Sequence, residues 1–340
     1  MGLLDNHRLK PQMMADGGDN NIFVYLGGNQ EVPAGVTHAV IDPSVKTVRR
    51  RAFFCRRQLV SVVFHDGVEI IEAGAFYKCE SLSGRIKLLG VREIEDNPFQ
   101  HCFALSDVEF GDRLQRIGIC AFYHCDSLRS IKLPSVRTVQ KGAFGHCTQL
   151  TDVGFGIDLE TIFIGSFRNC PQLERIAIPL KDGLFPYDDT LGQWYDQFHE
   201  CKNLTAVDIV GAEGLHKTIS SLLIESWKDE MNEEINRINQ ELPDTPSREK
   251  TNAIRLWIRS VIDRMDHFKA EHNRMLKEHM VHLELAVWKA TIYEKDDDSA
   301  QWEQINKRAK IDEKSTRKEK RITSGADIII KNVLPFLKLQ

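Results

Sequence analysis

The sequence predicts a solenoid of stacked repeats with a parallel β-sheet on one face, followed by an all-α C-terminal region with long helices. Two observations support this prediction: a phenylalanine returns at nearly constant spacing, and the apolar residues change to helical spacing from Leu215 onward. The intervals are 23, 23, 23, 22, 23 and 31 residues, and the repeated residues are Phe53, Phe76, Phe99, Phe122, Phe144, Phe167 and Phe198. A period in the low twenties is typical of a solenoid, in which each repeat packs on its neighbours.

Two of the repeats are nearly identical around this phenylalanine. Residues 75–82 read A-F-Y-K-C-E-S-L, and residues 121–128 read A-F-Y-H-C-D-S-L. The segment L-x-x-[IV]-x-[LIF] follows, as in Leu128, Ile131 and Leu133. Because successive side chains of a strand point to opposite faces, this alternation predicts a short strand with one buried face. Each repeat is therefore expected to contribute one strand to a parallel sheet.

These motifs resemble the BspA-like (Treponema-type) leucine-rich repeat, whose consensus combines L-x-x-I-x-L-P, L-x-x-I and A-F-x-x-C. The resemblance extends from about Val36 to Gly211. The chain as a whole, with a tail that contains S-G-A-D-I-I-I-K-N-V-L-P-F-L, is also similar to a family of diatom leucine-rich-repeat proteins with a helical C-terminal region. The resemblance implies a leucine-rich repeat solenoid and a general binding role, and it implies no catalytic residues.

Four segments are expected along the chain. They are a flexible N-terminus (1–20), the solenoid (21–212), a helical hairpin or coiled-coil-like arm (213–293), and a basic helical tail with an apolar C-terminus (294–340). The net charge of −4 over 340 residues is not that of a strong polyelectrolyte. No apolar stretch approaches the roughly 20 residues of a membrane span, and the N-terminus has no leader pattern. These features predict a soluble cytoplasmic protein, with the nucleus as an alternative compartment.

Six of the eight cysteines lie three residues after the repeat phenylalanine: Cys79, Cys102, Cys125, Cys147, Cys170 and Cys201. The same position of successive repeats stacks about 4.7 Å apart, so these thiols are expected to form a ladder in the interior, where Cys behaves as a small hydrophobe. A redox or metal role is the alternative, since stacked thiols are close enough to form disulfides. The C-x-x-C spacing of a zinc site is absent, so no metal is predicted.

Charged residues alternate in sign at the outward positions of the predicted strands. These positions hold Arg85, Lys87, Asp107, Glu109, Lys132, Asp152, Arg175 and Asp208. In-register parallel strands place each charge beside its opposite, so the basic residues are expected to be paired. A surface that binds a polyanion would carry one sign of charge, so nucleic acid is not expected here. Two interpretations remain open: the charges stabilise the sheet, or they form a mixed-charge surface for a protein partner.

The long interval before Phe198 contains an insertion rich in aromatic and acidic residues. The residues proposed as a partner-binding site are Phe185, Tyr187, Asp188, Asp189, Trp194 and Tyr195. Insertions in solenoids map to loops, often on the binding face, and aromatic residues are enriched in interface hot spots. The alternative is that these rings cover the last repeat beside the helical region.

Two helices are predicted after the repeats. Apolar residues recur at threes and fours from Leu215 to Leu242, which indicates a helix that covers the open end of the solenoid. Pro243 and Pro246 end it, and a second helix is predicted from Ser247 to about Tyr293. Its length of about 70 Å exceeds the about 38 Å of eight stacked repeats. The second helix therefore bends, or its distal part pairs with another copy or a partner.

The C-terminal residues leave further alternatives. Four histidines, His267, His272, His279 and His282, suggest a metal site, although helical seam and surface positions are the commoner explanation. The run Asp296–Asp298 predicts a helix break. The basic tract 307–321 suits nuclear import or an acidic partner, and a solvated helix face is the alternative.

The chain contains no phosphate-binding glycine loop, no G-x-S-x-G, no H-E-x-x-H and no cysteine with an evident base. The sequence therefore predicts a non-enzymatic protein–protein interaction scaffold without a cofactor. Its helical arm, residues 247–293, is expected to serve homodimerisation or partner recruitment. The alternative is a nuclear, chromatin- or nucleic-acid-associated factor that acts through the basic tail.

Overall fold

The computed structural model describes residues 13–15, 21–186, 196–211 and 224–305. The strands in chain order are β1 (Met13–Ala15), β2 (Asn21–Tyr25), β3 (His38–Ile41), β4 (Thr47–Val48), β5 (Ser61–Val63), β6 (Ile70–Ile71), β7 (Gly84–Leu88), β8 (Glu93–Ile94), β9 (Leu105–Phe110), β10 (Arg116–Ile117), β11 (Ser130–Leu133), β12 (Thr138–Val139), β13 (Asp152–Phe155), β14 (Thr161–Ile162), β15 (Arg175–Pro179) and β16 (Ala206–Val210). Two helices follow, α1 (Ile224–Glu241) and α2 (Lys250–Ile305).

The strands form two parallel rows, and the solenoid predicted from the repeat is confirmed. The longer strands make one row, with ladders β2–β3–β5, β7–β9 and β11–β13–β15–β16. The two-residue strands β4, β6, β8, β10, β12 and β14 form a second, six-stranded sheet. The sequence predicted one strand per repeat in a parallel sheet, and the longer strands confirm it. The structure adds a second strand that was not predicted, because the second apolar pair of each repeat, such as Val136 and Val139, ends in a short strand. Two residues are too few to produce a periodic signal.

The N-terminal part of the chain contributes one further strand. Residues 13–15, within the segment 1–20 that the sequence predicts to be flexible, form β1, which pairs antiparallel with β2. An antiparallel strand at this position occupies the backbone groups at the edge of the first ladder, which would otherwise be free to pair with another chain.

The core is built around the repeated phenylalanine. Each of these seven rings is completely buried. Neighbouring rings have centroids 4.8 to 5.8 Å apart and lie within 15° of parallel. The stack follows from the constant repeat length, because each repeat returns the ring to the same place one strand spacing further along.

The predicted thiol ladder lies beside this stack. All six ladder cysteines are completely buried, and each donates its thiol hydrogen to the carbonyl of the phenylalanine in the preceding repeat. The Cys79 Sγ lies 3.2 Å from the Phe53 oxygen, for example. The thiols therefore satisfy backbone acceptors of the turn, which is the structural interpretation. Cys55 and Cys120 are half-buried, and all eight cysteines are free.

The helices cover the last repeat, as predicted. On α1 the buried side chains are Met231, Glu234 and Ile238, with Leu242 just beyond the helix. The Asn239 Oδ1 accepts a hydrogen bond from the Val207 amide of β16 at 2.8 Å, so a helix side chain satisfies one backbone donor at the outer edge of the last strand. The residues before Ile224 that were predicted as the start of this helix lie outside the described residues.

The second helix is longer than the sequence predicted. It continues through Asp296–Asp298 to Ile305, so the predicted break at the three aspartates is wrong. Asp costs at most about 0.7 kcal/mol relative to Ala in a helix interior, and neither Pro nor Gly occurs nearby. The chain divides into two compact units, residues 1–266 and 267–340, so α2 contributes to both. Among the described residues, neither helix carries an apolar stretch able to cross a membrane.

Candidate functional site

The outward side of the longer strands carries the predicted charged residues in the predicted register. We call this set of side chains, Arg85, Lys87, Asp107, Glu109, Lys132, Asp152, Arg175 and Asp208, the sheet face. Arg85 lies opposite Asp107 and Lys87 opposite Glu109 across β7 and β9. All of these side chains are exposed or half-buried, whereas the alternate residues Ile86 and Ile131 are buried.

Three of the basic residues of the sheet face are paired as expected. The Arg85 Nε lies 2.5 Å from Asp107 Oδ2, the Lys87 Nζ 3.8 Å from Glu109 Oε2, and the Arg175 Nε 3.2 Å from Asp208 Oδ2. The hydrogen bond to Asp107 raises the pKa of Arg85. Because solvent screens exposed pairs, they add little stability; their effect is to fix the direction of each charge.

The predicted pairing is wrong at Lys132. Among the described residues, no carboxylate lies within ion-pair distance of its Nζ. Its register partner on β13 is Gly154, which has no side chain. Asp152, the nearest acid on that strand in sequence, accepts a hydrogen bond from Thr151 Oγ1 at 2.8 Å instead. The sign alternation along the sequence therefore does not produce a continuous ladder of pairs.

An open groove of about 1040 Å³ lies on this face, where the β7–β9 ladder ends and the β11–β13 ladder begins. We call it the β9–β11 groove. Its polar lining consists of Arg85, Ser106, Asp107, Glu109, Arg129, Ser130 and Lys132. A side-chain Cβ at Gly154 would meet nothing closer than 4.0 Å, so this glycine leaves open space beside Lys132.

The second predicted site, in the insertion, is described only at its ends. Phe185 is 3% exposed and packs edge-on against Phe198, with centroids 5.7 Å apart. This ring therefore belongs to the core, as in the alternative interpretation of the insertion. Tyr187, Asp188, Asp189, Trp194 and Tyr195 lie outside the described residues.

Polar contacts hold the two ends of the insertion on the fold. The Gln197 side chain donates from Nε2 to the Ile162 carbonyl at 3.0 Å, and the Arg255 Nε donates to the Phe185 carbonyl at 3.1 Å. Burial raises the pKa of Asp196, which directly follows the insertion. The insertion thus begins and ends at fixed points of the last repeat.

Sequence reasoning missed a histidine cluster two residues after the repeat phenylalanine. This column adopts positive φ, between 55° and 62°, at Cys55, Lys78, His101, His124, His146, Asn169 and Glu200. The rings of His101 and His124 stack at 5.2 Å, and those of His124 and His146 approach to 4.5 Å. Burial lowers the pKa of His101 and of His146, the two outer rings, and the neighbouring His124 lowers it further. The signal was present, since three successive repeats carry His at one column.

Two histidines of α2 make contacts within their own helix. The His279 Nδ1 lies 2.7 Å from the Met275 carbonyl of its own helix, and the His267 ring lies against Phe268. Among the described residues, no group of three or more His, Cys, Asp or Glu side chains is arranged to hold a metal ion. The basic tract 307–321 lies outside the described residues.

The two rows of parallel strands, the buried phenylalanine stack and the thiol ladder are the features of a leucine-rich repeat solenoid. The family model of the BspA type leucine rich repeat region matches residues 34–94 and 92–183 of this chain, in six copies. Residues 34–183 are therefore BspA-type leucine-rich repeats. A comparison with curated proteins gave no match.

Three solved structures with a similar chain come from bacteria. A leucine-rich repeat protein from Bacteroides ovatus is 26% identical with a TM-score of 0.42, over 52% of this chain and 43% of that chain. The T. pallidum leucine-rich repeat protein is 24% identical with a TM-score of 0.36, over 58% of this chain and 78% of its own. The pneumococcal vaccine antigen PcpA is 12% identical with a TM-score of 0.37, over 54% of this chain and 48% of its own. The chain thus spans less than half the length of the Bacteroides protein that it matches.

Proposed function

We propose that this protein is a non-enzymatic scaffold that binds a protein partner on the sheet face and uses its helical arm for self-association. Leucine-rich repeat proteins are in general protein-interaction scaffolds. The observation that carries the first half of the proposal is the β9–β11 groove, which opens on a row of outward charges whose directions are fixed by ion pairs. Fixed charges of both signs favour one docking orientation over others, because like charges brought together are costly.

A photo-crosslinking experiment tests binding on the sheet face. A benzophenone amino acid is placed at Ser130, which lines the groove, and in a control chain at Ile119, which is 39% exposed and lies outside the sheet face. We expect a defined adduct only from position 130, weakened when Lys87→Glu and Arg175→Glu reverse two of the paired charges. Equal adducts from both positions would contradict a binding role for this face.

The second half of the proposal rests on the distal part of α2. From His267 to Trp288 none of the described side chains is buried, and the most exposed large apolar ones are Val281, Leu283, Leu285 and Trp288, at 50 to 67%. Leu276, Met280, Leu283 and Val287 follow one another at spacings of four, three and four, which is the seam of a coiled coil. A second copy of the same helix presents the same seam, so it is the partner that we propose.

Light scattering on the full chain tests self-association. We expect a dimer whose dissociation is promoted by Met280→Glu with Leu283→Glu, since a charge in an apolar seam is desolvated without a partner. Leu256→Glu is the matched control, because Leu256 is 60% exposed on the same helix but lies outside this seam. A monomer at every concentration would contradict the proposed homodimer and leave partner recruitment as the role of the arm.

The insertion remains a proposed second contact for the partner. Tyr187→Ala and Trp194→Ala separate recognition from packing. Weaker capture by position 130 with an unchanged unfolding midpoint supports recognition, whereas a lower midpoint with unchanged capture supports the packing interpretation.

A further inference from the structure

The β9–β11 groove differs from the rest of the sheet face in its balance of charge. Its lining contains the basic residues Arg85, Arg129 and Lys132 and the acidic residues Asp107 and Glu109. Both acids are engaged by β7, Asp107 by Arg85 at 2.5 Å and Glu109 by Lys87 at 3.8 Å. On one side of the groove the carboxylates are therefore paired with the cations of β7, and on the other side lie two further cations.

Those further cations are Arg129 and Lys132. Both side chains are exposed, and among the described residues neither lies within ion-pair distance of a carboxylate. The backbone explains why. Lys132 faces Gly154 across the ladder, and Arg129 meets the uncharged Thr151, whose amide donates to the Arg129 carbonyl at 2.7 Å. On the other side, β9 and β11 belong to different ladders.

The groove also offers hydrogen-bond donors and room. The Ser130 side chain, which lies between the two cations in sequence, lines the groove. Because Gly154 has no side chain, the backbone on the far side of Lys132 stays accessible. A carboxylate that entered here could accept charge-assisted hydrogen bonds from a guanidinium, an ammonium and a hydroxyl.

The surrounding acids select the kind of anion. A long polyanion gains its affinity by neutralising many phosphates along its backbone, and here it would run against the carboxylates of Asp107, Glu109 and Asp152. A peptide with one or a few acidic side chains places a carboxylate between Arg129 and Lys132 and continues with uncharged residues. We propose that the β9–β11 groove binds an acidic segment of a protein partner, with Arg129 and Lys132 as the groups that recognise its carboxylates. This inference rests on the proposed function of the sheet face.

The test uses the full chain and fluorescence anisotropy with three labelled probes: a glutamate peptide, which is a hexapeptide with two adjacent glutamates among uncharged residues, a glutamine peptide with glutamines at those two positions, and a mixed-sequence single-stranded DNA. We expect the glutamate peptide to bind at low salt, the glutamine peptide not to bind, and the DNA to bind more weakly than the glutamate peptide. Lys132→Glu and Arg129→Glu should each weaken binding by about tenfold or more, since each change removes a charge-assisted hydrogen bond and brings a like charge to the carboxylate.

The matched control is Lys46→Glu, which makes the same change of charge at a lysine that is 77% exposed and pairs with Glu69, outside the groove. Binding of the glutamate peptide that is equal in Lys132→Glu and Lys46→Glu, absent altogether, or weaker than DNA binding overturns the proposal. The photo-crosslinking experiment distinguishes failure of the acidic-ligand proposal from failure of the proposed binding role of the sheet face. If position 130 still captures a partner while the glutamate peptide does not bind, the acidic ligand is excluded and the binding role of the sheet face stands.

Discussion

The Nζ of Lys250 donates a hydrogen bond to the Leu204 carbonyl at 2.5 Å, and it makes a second bond at 3.0 Å to the Lys202 carbonyl. Lys250 is only 1% exposed, and this burial lowers its pKa. The first residue of α2 thus binds the backbone that leads into the last strand. A buried ammonium is stable only when its donors are satisfied, so this contact joins the helical cap to the solenoid.

We expect Lys250→Met to reduce the free energy of unfolding by roughly 2 kcal/mol, because the methionine fills the space but leaves the two carbonyls without their charged donor. Urea denaturation measures the change. Lys202→Met is the control, since it removes a side chain that is 70% exposed and keeps the carbonyl. Unchanged or higher stability for Lys250→Met would mean that desolvation of the ammonium outweighs its hydrogen bonds.

The phenylalanine stack should be sensitive to the loss of one ring. Phe122 is completely buried between Phe99 and Phe144, at 5.1 and 5.2 Å. We expect Phe122→Ala to cost about 3 to 5 kcal/mol, measured by urea denaturation. Phe103→Ala, which removes a ring that is 37% exposed, should cost much less. Equal losses would show that the stack contributes no more than a surface aromatic.

The histidine cluster should make stability depend on pH. The pKa values of His101 and His146 are lowered in the folded protein, while in the unfolded chain these residues titrate near the ordinary value of about 6.5. The unfolded state therefore binds more protons below that pH, and the free energy of unfolding falls as the pH drops through about 6.5, whereas above it the stability is fully present.

The double variant His101→Asn with His146→Asn tests this pH dependence. Asn tolerates the positive φ of these positions, so the variant should fold and should lose less stability than the wild type between neutral and mildly acidic pH. His279→Asn, which changes an exposed histidine of α2, is the control. An equal slope in the wild type and the double variant would refute the role of the cluster.

The thiol ladder should be unreactive in the folded protein. Burial raises the pKa of Cys79 to about 12, and it also raises the pKa of Cys102 and Cys125, so the reactive thiolate is nearly absent at neutral pH. In a titration with a thiol reagent we expect at most the two half-buried cysteines, Cys55 and Cys120, to react before denaturant is added. Rapid labelling of more than two thiols in the native protein would contradict the buried ladder.

Much of the solenoid could be predicted because every repeat places the same types of residue at the same positions. The column of Phe122, the column of Cys125 and the alternation around Ile131 each recur at a fixed position, so burial and strand register follow from counting residues. The short strands were missed because two residues carry no periodicity. The end of α2 was misplaced because three aspartates weaken a helix only slightly when its neighbours favour it.

The candidate site was predictable in position but not in detail. The sequence correctly placed Lys132 on the outward side of its strand, since the side-chain direction follows from strand geometry. It could not show that Lys132 is unpaired, because that depends on the glycine opposite it and on the separate ladders of β9 and β11. The histidine column could have been found in the sequence, since three successive repeats carry it, but the approach of the His124 and His146 rings to 4.5 Å is visible only in the folded protein.

The sequence by itself determined the repeat, its buried columns and its change to helices after the last coil, since these depend on the spacing of apolar side chains along the chain. Only the tertiary structure decided which charges pair, which ones remain free and where a buried lysine meets a carbonyl. A flexible charged side chain pairs with an opposite charge that lies within reach on a neighbouring repeat. Whether one lies within reach depends on the strand register, on a glycine at the opposite position and on the breaks between ladders, and none of these is visible within a single repeat.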